Sequence, residues 1–151
     1  MKKNKRIVDK FVEVILICIL VLMVMSVLWQ VYTRFLTNNP SSFTDELSRY
    51  LMIWLGILGS AYLAGKNEHV AINYFSLKFK SFNKIIELLI LFSIILFAFF
   101  GLLIGGLRLV YITYILDQYS PALNIPLAYI YTIIPFSGLI IIYYKLSNYL
   151  K

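Results

Sequence analysis

Residues 14–33 read VILICILVLMVMSVLWQVYT, a run without a charge between Glu13 and Arg34. A helix rises about 1.5 Å per residue, so about 20 such residues cross the roughly 30 Å hydrocarbon core of a bilayer. A second run of this kind extends from Leu88 to Leu107, between Glu87 and Arg108. A third, from Ile125 to Tyr144, is Tyr-rich and stops at Lys145. The stretch from Tyr50 to Gly65 is shorter. Its helix reaches across only by starting near Asp45 or Glu46, which brings those charges into the interfacial zone. The pattern predicts an all-α integral membrane protein with four transmembrane helices, at residues 12–36, 45–65, 85–113 and 125–146, in one domain over 1–151.

Composition points the same way. Hydrophobic residues make up 61% of the 151 and charged residues 14%, with a mean hydropathy of +0.83, which is outside the range of an ordinary soluble domain. The amino end, MKKNKR before an apolar stretch, superficially resembles a signal peptide. The apolar run is too long for one and no A-x-A-like site follows, so it is read as a retained first helix. Cys18, the single cysteine, has no intrachain partner and reads as a small core residue.

Charge gives the direction. Lys2, Lys3, Lys5, Arg6 and Lys10 precede the first span; Lys66, Lys78, Lys80 and Lys84 lie between the second and third; Lys145 and Lys151 follow the fourth. All of these fall on one side, which the positive-inside rule makes cytoplasmic, with both ends in. The other side carries Arg34, Arg49 and Arg108 against Asp45, Glu46 and Asp117, so the net +7 belongs to the inner face. Anionic headgroups of the lipid bilayer suit that face. Nucleic acid does not, because the aromatics fall inside the spans or at their ends instead of interleaving with exposed bases. Between the second and third spans, Ile72, Phe75, Phe79 and Phe82 recur at helical spacing with Lys80 and Lys84 on the other side of the wheel. This predicts a short interfacial helix, with an irregular loop dipping its aromatics into the headgroups as the alternative.

Chemistry inside a membrane usually requires an ionisable group at mid-depth, and every Asp and Glu here lies at or beyond a span end. One histidine, His69, and one cysteine supply no zinc spacing, and no G-x-S-x-G elbow occurs, so neither metal nor catalytic residues are expected.

The outer charges carry more information. All three basic residues there are arginines, whose planar fork suits bidentate pairing. Asp45 and Glu46 stand four and three residues before Arg49, and Ser42 is placed to cap their helix. Two readings are open: a cap with snorkelling side chains, or a polar layer linking Arg34, Glu46, Arg49 and Arg108, worth about 3–5 kcal/mol per lost partner if buried. Trp29 reads as a belt residue, and Gln30, one turn from Arg34, must face another helix because lipid offers its amide no partner. Gly56 with Ser60, and Gly101 with Gly105, form small-xxx-small pairs that mark contact with protein, either this bundle or a partner. The run Ser120–Pro126 predicts an ordered outer turn, and Pro135 a kink near Tyr131.

As a whole, WQVYTRF (Trp29–Phe35), DELSRYLMIWLGILGSAYLAGKNEHVAIN (Asp45–Asn73) and SPALNIPLAYIYTIIPFSG (Ser120–Gly138) resemble the small membrane subunit of a TRAP transporter, the tripartite ATP-independent periplasmic system for organic acids. The resemblance implies a non-catalytic scaffold for a large permease subunit, which would itself hold sodium and substrate, so no cofactor is expected on this chain. It also implies a periplasmic substrate-binding protein as a partner on the outer face, and location in the bacterial inner membrane. Arg34, Glu46, Arg49, Trp54 and His69 match positions typical of the family, as do Ser120, Pro126 and Pro135. Asn73 departs from it, standing where the family commonly has aspartate. Two other classes compete. A self-contained four-helix exporter would place a glutamate midway along the first span, whereas Glu13 sits at its end. A small membrane enzyme acting on lipid or quinone has only His69 and the Tyr-rich fourth span in its favour.

Overall fold

The computed structural model of the chain describes residues 2–36, 41–66 and 83–149. The predicted interfacial helix, His69 and Asn73 lie outside the described residues. Helix α1 covers Lys2–Leu36 and α2 covers Ser42–Lys66. The third span is built from α3 (Asn83–Phe97), a π-helical stretch (Ala98–Ile104) and α4 (Gly105–Ile115). The fourth comprises α5 (Leu127–Tyr131) and α6 (Ile133–Tyr149). Four helical stretches are thus long and apolar enough to cross a membrane: Ile7–Leu36, Ser42–Lys66, Leu88–Ile115 and Leu127–Ser147. Asp9 of α1 faces Tyr144 of α6, so the first and last spans have their basic termini at one end of the bundle.

Contacts run from α1 to α2, from α2 to α6, and from α6 to the π-helical stretch, which sets the spans side by side in the order one, two, four, three. Small residues make the central seam. Ala61 and Ala64 of α2, Ala98 of the third span and Ile141 of α6 form one buried cluster, and Ile19, Leu58 and Ile133 a second where α1 joins. With lipid as apolar as leucine, close backbone approach and dispersion hold such helices together.

Two helix irregularities meet at this seam. Pro135 has no N–H for the preceding turn and its ring crowds that turn's carbonyl, so the fourth helix breaks at Thr132, between α5 and α6. Opposite the break stands Gly106. A methyl group on it would lie 2.8 Å from Pro135 Cδ, closer than packed atoms sit. One turn deeper, Gly138 faces the π-helical stretch, with Leu102 Cβ only 3.0 Å from where its own Cβ would be. At the inner end Gly65 lies equally close under the Tyr144 ring. None of these belongs to the two small-xxx-small pairs singled out from sequence. Gly56 and Ser60 are exposed, and a Cβ on Gly56 would meet nothing within 4 Å. Gly101 is exposed and covered by its own Phe97, and Gly105 is exposed as well. Both pairs face outward, away from this chain's other helices. Cys18 is likewise exposed on α1, correcting its reading as a core residue.

Candidate functional site

The polar side chains gather where α1 ends and α2 begins. Thr33 Oγ1 accepts the Ser41 N–H at 3.4 Å, fastening the two helices together. Ser41 caps α2: its hydroxyl accepts the Thr44 N–H at 3.4 Å and its carbonyl the Asp45 N–H at 3.2 Å. The expected cap, Ser42, is one residue late, since it already lies in the first turn and is exposed.

Asp45 closes that turn and Glu46 opens the next. Successive helix positions differ by about 100°, so the two carboxylates leave in different directions. Asp45 looks toward α1, accepting the Gln30 amide at 2.7 Å through Oδ1 and Arg49 Nη2 at 2.5 Å through Oδ2. Gln30 therefore has its partner on the neighbouring helix. Glu46 is half-buried and turns to the outer loop between α4 and α5. Its Oε2 accepts the backbone N–H groups of Ala122 at 2.7 Å and Leu123 at 3.3 Å, while Oε1 accepts the Tyr50 hydroxyl at 2.7 Å. Two turns deeper, Trp54 donates its indole N–H to the Ile130 carbonyl at 3.0 Å, just ahead of the break in the fourth span.

The described residues do not join in a single polar layer, one of the two readings that the sequence leaves open. Arg49 pairs with Asp45, and its side chain is 69% exposed, so the buried-layer magnitude does not apply. Glu46 belongs to the loop instead. Arg34 is exposed and lines a cleft of about 530 Å³ with Gln30, Phe35, Ser41, Ser42 and Asp45. Arg108 is exposed on α4. Neither forms an ion pair among the described residues. Trp29 is also exposed, stacked on Tyr32 at a centroid distance of 5.6 Å, in keeping with a place at the headgroup level.

The loop that Glu46 holds also carries bonds of its own. Asp117, at φ 45°, ends α4 in the left-handed conformation common after a helix. Ser120 is fully buried, donating its N–H to Ile125 and accepting the Asn124 N–H on its carbonyl, both at 2.9 Å. Asn124 takes φ 53°, which a short amide side chain tolerates. Tyr50, Ser120, Ala122 and Leu123 were not foreseen as partners of Glu46. The proline-bounded loop signalled order, but nothing in a single sequence signals a contact 76 residues away. Among the described residues no group of His, Cys, Asp and Glu is arranged to hold a metal ion.

Residues 23–151 match the family described as tripartite ATP-independent periplasmic transporters, DctQ component. The chain belongs to this DctQ family. The chain is 35% identical over 86 residues to a Haemophilus influenzae protein assigned as a TRAP transporter small permease, covering 57% of this chain and 53% of that one. It is 30% identical over 76 residues to the sialic acid TRAP transporter small permease protein SiaQ of Vibrio cholerae, covering 50% and 44%. A third relative, the sialic acid TRAP transporter permease protein SiaT of Haemophilus influenzae, is 31% identical over 78 residues, which are 48% of this chain and 13% of SiaT. The matches span about half the length of the two small permease relatives. The family and these relatives are transporter components and not enzymes, and with four helices long and apolar enough to cross a membrane the chain is a multi-pass membrane protein of a transport family.

Proposed function

We propose that the chain is the non-catalytic scaffold of a sodium-coupled TRAP transporter for organic acids in the bacterial inner membrane. In this reading a large permease subunit carries sodium and substrate, this chain braces it, and the outer face helps to dock the periplasmic binding protein. The observation that supports the reading most is electrostatic. Every Asp and Glu of the chain lies at or beyond a span end, so the bundle offers no mid-depth carboxylate through which a proton or sodium ion could pass. A helical bundle of that kind contributes position and rigidity instead of transport steps. Relatives point toward the same arrangement: the segment similar to this chain is 13% of SiaT, a permease protein many times longer than the segment.

Co-purification from membranes and uptake into liposomes test the proposal together. The chain is expected to elute with a large permease subunit, and sodium-driven uptake of an organic acid is expected to need both. Undiminished uptake by the large subunit alone would overturn the scaffold role.

A further inference from the structure

We propose that the Ser120–Leu123 turn is a carboxylate-binding site whose resident ligand is Glu46, and that this occupancy sets the conformation of the outer loop. Two consecutive backbone N–H groups, of Ala122 and Leu123, converge on one carboxylate oxygen. Such paired amides form a concave cradle for an anion. The Leu123 N–H is shared with the Ser120 hydroxyl at 3.2 Å, and that hydroxyl also faces the carboxylate and Tyr50. Tyr50 closes the site by donating to the second oxygen. Both oxygens of Glu46 therefore meet donors, the arrangement a carboxylate requires and a neutral amide matches less well.

The anion is carried by α2, whereas the cradle belongs to a loop far along the chain. Binding thus joins α2 to the link between the third and fourth spans, at the end of the bundle opposite the lysines. Within the loop, the buried Ser120 and the left-handed Asn124 lie on either side of the two amides that Glu46 holds. Removing the anion leaves those amides to water and releases the turn. Glu46 acts here as a positioning residue, and the inference stands whether or not the outer face docks a binding protein.

Hydrogen exchange of the full chain in nanodiscs, read on the peptide spanning residues 119–125, tests this. Glu46→Ala is expected to speed exchange there about tenfold, the equivalent of one charged hydrogen bond, with the four spans unchanged. Sodium formate is expected to restore protection, and sodium chloride at the same ionic strength is not. A loop that exchanges as in the wild type, or a loosened loop that formate leaves loose, overturns the proposal. Glu46→Gln keeps the side-chain volume and serves if the alanine variant does not fold. Its loop is expected to exchange faster than wild type because a neutral oxygen is the weaker acceptor, and wild-type exchange in this variant overturns the carboxylate requirement. Tyr50→Phe, which leaves the amide cradle filled, is expected to lie nearer to wild type than Glu46→Ala.

Discussion

The third and fourth spans touch along much of their length, yet 44% of the fourth span's most apolar window is buried within the chain and only 6% of the third's. The third is the more apolar of the two. In a soluble protein that order would be reversed, because water would drive the greasier helix inside. In a bilayer the surroundings are apolar as well, so burial goes to the helix whose small residues let neighbours come close. Ser137, Gly138 and Ala128 serve the fourth span in this way, while Phe92, Phe97, Phe100 and Tyr111 of the third look outward.

If that distinction is right, enlarging glycines should sort the molecule into two sets. Gly106→Leu and Gly138→Leu drive a side chain into Pro135 or the π-helical stretch, and each is expected to destabilise the chain by about 1–3 kcal/mol, the usual cost of overpacking. Thermal unfolding in detergent measures it. The same change at Gly56 or Gly105 is expected to stay within about 0.5 kcal/mol, as at a surface position. Equal losses in both sets would abolish the distinction. Should the outward face of either pair meet the large permease, those variants are expected to lose co-purification while keeping their stability.

A smaller effect is expected where the fourth span is tied by a hydrogen bond rather than by shape. Trp54→Phe retains most of the ring and removes the bond to Ile130, so a loss of about 1 kcal/mol in the same unfolding experiment is expected. A loss several times larger would mean that the indole supports the break at Thr132 through packing.

These contrasts also show what one sequence discloses. Span length is a local property, and it suffices to read four helices, the first bounded by Glu13 and Arg34 and the third by Glu87 and Arg108. Pro135 announced the break because its effect on the preceding turn is intrinsic to the ring. The π-helical stretch carries no such mark: AFFGLLI reads as ordinary helix, and its wide turn exists beside Gly138 of another span. Facing is equally hidden. Gly101 and Gly105 have the spacing of a packing motif, yet Gly106, which has none, is the one against Pro135. Asp45 and Glu46 were both within reach of Arg49, and only the folded outer loop, arriving 76 residues later, separates their roles.

The least effect is expected at that separation's exposed side. Asp45 and Arg49 have side chains 37% and 69% exposed, so water and salt screen their attraction. Arg49→Gln is expected to cost no more than about 1 kcal/mol, and raising the salt concentration should erase most of it. Asp45→Asn should cost somewhat more than Arg49→Gln, because Asp45 also accepts the Gln30 amide and so binds α2 to α1. A double-mutant cycle between Gln30 and Asp45 isolates that interhelical part. Coupling that persists in high salt places the Gln30–Asp45 bond at a protected contact between α1 and α2, whereas coupling that vanishes with salt places it among the screened surface charges, beside Arg49.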